Sequence, residues 1–116
     1  MATIINELGK ITFSEDLLTS IAGYAAVENY GIVGMNAKRP SDALSALFDR
    51  DNTKKGVKVT EVNGTTIDVD LYVILEYGIS ARAVAENATS NVRYRVESMT
   101  GLKVRAVNIH VEGIRV

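Results

Sequence analysis

The chain has 116 residues, with 13 Lys and Arg against 14 Asp and Glu, 47% hydrophobic and 23% charged residues, and no cysteine. That length fits one domain over residues 1–116 with a single core. The near-neutral charge leaves no strong basic footprint for nucleic acid. The lack of cysteine excludes disulfides, a thiol nucleophile and thiolate metal sites. The longest apolar runs, Ile21–Val27 and Leu71–Leu75, are too short to span a bilayer.

The start MATIINELGK has neither a basic opening nor a long apolar stretch, so no export signal is expected. Ala2 stands where myristoylation needs glycine. Lys10–Phe13 alternates as a short strand. Ser14 is placed to cap a helix at about 15–29, because its hydroxyl can accept a free first-turn amide. Glu15 and Asp16 then sit at the positive end of the helix dipole. Leu17, Leu18, Ile21, Ala22 and Ala25 form an apolar stripe at helical spacing, and Gly31 supplies a stop. Gly23 and Ala22 leave room for close packing of this helix. Ile32–Asn36 reads as a strand, and Pro40 with Ser41 opens a short helix, Asp42–Phe48. Asp49–Gly56 is polar and reads as a loop.

Val57–Val62 and Thr65–Tyr77 flank Asn63-Gly64, a hairpin signal because both residues tolerate positive φ. In the second run Ile67, Val69, Leu71, Val73, Leu75 and Tyr77 alternate with Asp68, Asp70, Tyr72, Ile74 and Glu76, so one face is predicted to be buried. Gly78 breaks the strand, and Ser80 caps a helix whose Ala81, Val84, Ala85, Ala88, Val92, Val96 and Met99 share a face. Thr100-Gly101 ends it. Lys103–Val111 alternates again with Val107, Ile109 and Val111 inward, and Gly113 marks a bulge or the strand's end. The predicted order is β-α-β-(short α)-β-β-α-β. The predicted fold is a two-layer α+β sandwich, a mixed sheet with two main helices on one face.

Few residues suggest chemistry. His110 is the one histidine, and with no cysteine or neighbouring ligand it builds no zinc site. It points opposite to Ile109 and Val111, as a half-exposed strand residue. Asp49-Arg50-Asp51-Asn52-Thr53 opens like a calcium loop. Lys54 replaces the required glycine, however, and Thr60 the bidentate glutamate. Asp68 and Asp70 share a strand face and could do acid–base work or hold a metal, but no second pair converges on them in the sequence. The glycines of Gly31-Ile32-Val33-Gly34 close a helix instead of opening one, so they make no phosphate cradle. Lys38, Arg39, Arg50, Lys54 and Lys55 outnumber Asp42, Asp49 and Asp51 in the 36–56 region, a weak basic feature. No serine has a base at a recognisable spacing. The acceptor patterns at Asn63 and Asn87 are chance matches without secretion. No catalytic, cofactor or metal residue is therefore assigned.

Four segments together resemble one family: GKITFSEDLLTSIAGYAAVENYGIVGM (9–35), KGVKV (55–59), IDVDLYVILEYGISARAVAENATSNVRYRVESMTGL (67–102) and VRAVNIHVEGI (104–114). They resemble the alkaline shock protein family of Gram-positive bacteria, also called the general-stress or envelope stress response family, across nearly the whole chain. The short helix expected after Pro40 and the compact C-terminus look like the small subgroup often associated with a fatty-acid or dihydroxyacetone kinase-like gene. The resemblance implies a cytoplasmic, non-enzymatic protein without cofactor. It also implies self-association into homo-oligomers, and contact with the membrane through an anchored or lipid-metabolism partner instead of direct insertion. The family brings no catalytic residues to carry over. Met99, Leu102 and Val107 are expected to fill core.

The leading functional expectation is a self-associating scaffold or regulator in envelope stress or lipid homeostasis. Tyr30, Tyr72, Tyr77 and Tyr94 are its candidate interface anchors. The alternative is a sensor of a small acyl or nucleotide metabolite, and a weaker one is an RNA-binding accessory, which the missing basic stripe disfavours.

Overall fold

The structure, a computed structural model, describes residues 2–29, 31–35 and 56–116. The expected short helix at 42–48, the calcium-like run at 49–53, Tyr30 and nearly all of the basic 36–56 region lie outside the described residues. Strands β1 (Ala2–Asn6) and β2 (Gly9–Phe13) precede helix α1 (Glu15–Val27) and strand β3 (Ile32–Met35). Strands β4 (Val57–Asn63) and β5 (Thr66–Glu76), helix α2 (Ala81–Thr100) and strand β6 (Lys103–Arg115) follow.

The main sheet is built around β5. On one side β4 pairs antiparallel with it from Thr66 to Leu71, and β3 continues antiparallel along Val73 to Leu75. On the other side β6 runs parallel to β5 along its whole length. A parallel neighbour needs a crossover, and α2 is that crossover. The sheet is mixed and the fold α+β, as the patterning predicts.

Burial follows the alternation of β5. Ile67, Val69, Leu71, Val73 and Leu75 are buried, while the residues between them are half-buried. Beneath that face lie Leu18, Ile21, Ala22, Ala25 and Ala26 of α1 and Val84, Ala88, Val92 and Val96 of α2. Removing each of these larger aliphatic side chains from water contributes about 1.5–3 kcal/mol. The helices also touch each other through a polar link, where the Asn91 amide donates to the Ala25 carbonyl at 2.8 Å. Gly23 is buried in α1.

The end signals work largely as read. Ser14 Oγ accepts from the Leu17 amide at 3.1 Å, and Ser80 Oγ from the Ala83 amide at 3.3 Å. Gly101 takes a left-handed φ of 79° and returns its amide to the Glu97 carbonyl at 2.8 Å. Just before it, buried Thr100 donates to the Val96 carbonyl at 2.6 Å and accepts from the Leu102 amide at 3.1 Å. Thr100→Val keeps the shape but strips Leu102 of its acceptor. The expected loss is about 1–2 kcal/mol in a urea titration; an unchanged midpoint would show that this amide reaches water.

Several expectations are corrected. The order gains a strand: Ala2–Asn6 pairs with Gly9–Phe13 as a separate two-stranded hairpin, so the Lys10–Phe13 strand does not join the main sheet. The hairpin docks through the Thr3 amide on the Gly64 carbonyl at 2.7 Å. The β4–β5 hairpin forms, but its loop is Gly64-Thr65 and neither Asn63 nor Gly64 has positive φ. A register shift between Glu61 and Asn63 produces the reversal, helped by Asn63 Oδ1, which accepts from the Thr65 amide at 3.0 Å. Tyr77, placed in the inward set, is 70% exposed because β5 ends at Glu76. Met99 is 65% exposed, since the buried row of α2 runs Val84, Ala88, Val92, Val96, Thr100 and leaves Met99 on its flank. Leu17 and Val111 are also partly exposed, at the margins of their stripes. Leu102 and, in part, Val107 do pack in the core. Gly113 follows a bulge, and β6 runs on to Arg115.

Candidate recognition surfaces

The outer face of the sheet, turned away from the helices, carries the polar side chains that the sequence left unpartnered. Register alone brings them together. β4 sets Thr60 beside Asp68 and Lys58 beside Asp70, while β6 sets Ala106, Asn108 and His110 beside Asp68, Asp70 and Tyr72. Arg105 grips Asp68 with both prongs, Nε at 3.0 Å from Oδ1 and Nη2 on Oδ2. The Asp68 hydrogen bond, then its charge, push the Arg105 guanidinium further up from an already high value. A raised pKa contributes stability below the unfolded-state value and loses it only as pH climbs past the folded one. Arg105 therefore stays charged at any physiological pH and adds no pH dependence there.

Asp70 Oδ1 accepts from Asn108 Nδ2 at 3.2 Å and lies 3.1 Å from His110 Nε2. With a proton on Nε2, the imidazole donates to Asp70. The ring also stacks on Tyr72, with centroids 4.6 Å apart and planes 12° from parallel. His110 is thus the half-exposed strand residue that its neighbours predicted, with a fixed orientation. Asp68 and Asp70 do share a face. Their partners, though, come from more than thirty-five positions further along the chain, where only the β5–β6 register reveals them.

An oriented imidazole could act as a base if it faced a nucleophile. Thr89 and Ser90 of α2 line a shallow groove that also reaches His110. Among the described contacts neither hydroxyl bonds to the imidazole, and Nε2 already faces Asp70. Among the described residues no three His, Cys, Asp or Glu side chains converge as a metal site. No described helix is long and apolar enough to cross a membrane.

Apolar surface is the more prominent feature. The tip of the β1–β2 hairpin exposes Ile5, Leu8 and Ile11, at 75%, 98% and 50%. Between the helices, Tyr24 and Met99 rim a groove beside the Arg95–Glu28 ion pair, 3.0 Å long. Of the tyrosine anchors, Tyr77 and Tyr94 stand exposed and Tyr72 lies half-buried under His110. Tyr24, which the helical stripe did not single out, is more than half exposed. A crevice of about 180 Å³ lies under the hairpin, lined by Ala2, Phe13, Leu18, Val59 and Ile67 with Glu15 and Glu61. It is smaller than the ~300–1,000 Å³ usual for ligand pockets; the groove along α2 and β6, about 730 Å³, reaches that size but lies open to solvent.

Comparison with known proteins agrees with the sequence resemblance. A Bacillus subtilis protein, YloU, is 40% identical over 93% of this chain and 90% of its own length. The Streptococcus pyogenes protein Spy1614 is 34% identical over 93% of this chain and 89% of its own. A stress response regulator gls24 homolog of Streptococcus pyogenes is 28% identical, over 92% of this chain and 59% of its own. Among solved structures, a variant of the MamM CTD superposes with a TM-score of 0.51 over 84% of this chain and 93% of that one. At 12% identity that likeness speaks for the fold alone. The model of the alkaline shock protein 23 family, described as having a cell envelope-related function, matches residues 3–116. The chain belongs to that family.

Proposed function

We propose that this protein is a non-enzymatic, self-associating scaffold or regulator that serves the cell envelope under stress. It works from the cytoplasm and reaches the membrane through an anchored or lipid-metabolism partner. The observation that carries this reading is where the large apolar side chains lie. Leu8, Ile5, Tyr77, Tyr94 and Met99 are each at least 65% exposed, on the hairpin, at the end of β5 and on α2. Ile5 and Leu8 share the hairpin tip, and exposed apolar side chains gathered at one place mark contacts with other proteins. The polar face supports the same reading, because its carboxylates are already bonded within the chain by Arg105, Asn108 and His110.

Affinity purification of the tagged protein from its own cells, followed by light scattering, tests this. The expected result is a mass above that of one chain, rising with concentration, and recovery of an envelope-associated or lipid-metabolism protein. A stable monomer at high concentration with no co-purifying protein would overturn the proposal.

A further inference from the structure

We infer that the outer edge of β6 is a docking surface for a second copy of this chain, the two β6 strands pairing antiparallel across a two-fold axis at Ile109. The inference rests on the self-association proposed above and names the surface that carries it.

Exposed strand edges invite pairing, and proteins that must stay apart blunt them with charges, bulges or cover. The two edges of this sheet are treated differently. The β4 edge carries Lys58 and Glu61, a register shift before Asn63, and a break between Met35 and Val57, where β3 gives way to β4 along β5. The β6 edge is blunted only at its ends. At its start, Arg93 Nε donates to the Val104 carbonyl and Glu97 accepts from the Val104 amide at 2.8 Å, so α2 covers both outward backbone groups there. The bulge after Val104 follows, with charged Arg105. At its far end come the second bulge, Glu112 and Arg115. Between the bulges Ala106–Val111 stays in unbroken register with β5 and carries no permanent charge. Among the described residues no strand pairs with its outer side.

The chemistry of this central run matches itself. In an antiparallel pairing about Ile109, Ile109 meets its own copy and Val107 meets Val111 of the second chain, all on the helix side of the sheet. On the outer face, Asn108 meets His110 of the second chain, a donor–acceptor pair repeated twice by the symmetry. A two-fold contact requires such self-complementarity, and directly opposed β-branched side chains are favourable cross-strand pairs. Val111, 42% exposed in one chain, would be covered by Val107 of the other. Beside the edge, α2 presents the small side chains of Ala85, Thr89 and Ser90 along the groove, with Glu86, paired to Arg82 at 3.2 Å, also on its lining. The product is one continuous sheet through both chains, by strand addition.

The lack of native cysteine gives a clean test. Chains carrying Asn108→Cys and chains carrying His110→Cys are mixed, allowed to exchange, and oxidised mildly. Disulfide-linked dimer is expected to form several-fold faster in the mixture than in either variant alone. Val111→Lys, at a partly exposed position, is expected to weaken self-association at least tenfold by light scattering while the melting temperature holds. An oligomer that survives Val111→Lys and gives no preferential cross-link overturns this surface but leaves self-association standing. A wild-type chain that stays monomeric at high concentration overturns both. A monomer that instead takes up a strand from an unlike protein at this edge overturns the second-copy assignment.

Discussion

Gly31→Ala is expected to lower stability by about 3 kcal/mol, roughly 10 °C in melting temperature. Gly31 sits between α1 and β3 with a φ of 99°. A Cβ there would lie 2.8 Å from Cγ2 of Ile79 and 2.8 Å from Cγ2 of Val84. Two costs add: a left-handed residue with a side chain, about 1–2 kcal/mol, and overpacking, about 1–3 kcal/mol. The backbone has little room to give way, because the Gly31 carbonyl accepts from the Glu76 amide at 2.9 Å and Val84 is part of the core. Gly78→Ala separates the two costs. Gly78 has a φ of 90° but nothing within 4 Å of the added Cβ, so only the backbone cost of about 1–2 kcal/mol remains. Equal thermal shifts for the two variants would show that Ile79 and Val84 move aside freely.

Leu71→Ala is expected to cost about 2–5 kcal/mol. Leu71 is fully buried on the central strand, between β4 and β6 and over both helices. Its neighbours are themselves fixed in strands, so the cavity cannot collapse. Tyr77→Ala is the paired comparison. Alternation puts Tyr77 in the same inward set, yet it is 70% exposed, and its loss is expected within about 0.5 kcal/mol. Denaturant midpoints for both variants check the contrast. Similar losses would mean that Tyr77 packs in solution, and with it the end of β5.

The two experiments probe what the proposed association depends on. Gly31 and Leu71 hold the sheet on its helices, and the sheet sets the register that aligns β6. Self-association measured on Gly78→Ala, which should fold with modest loss, is the useful control for any effect of stability alone.

The sequence by itself determined the family and most of the described elements. The alternation of Ile67 to Leu75 marks a strand with one buried face because successive side chains point to opposite sides. The row Val84, Ala88, Val92, Val96 marks a buried helix face by its spacing. Ser14, Ser80 and Gly101 mark ends because their hydrogen bonds span only a few residues. These are local interactions, and local interactions are written locally.

The tertiary structure decided the rest. Met99 and Tyr77 continue their patterns in sequence but fall where no neighbour covers them. Ala2–Asn6 is legible as a strand only once Gly9–Phe13 is there to pair with it. Asn63-Gly64 signals a hairpin correctly, yet the register shift places the loop one residue later. Above all, the links from Asp68 to Arg105 and from Asp70 to His110 depend on the parallel register of β5 and β6. So does the uncharged, unbulged stretch Ala106–Val111. That register is fixed by burying Val104, Val107 and Ile109 against α2 and β5 together, a collective choice that no short window of sequence contains.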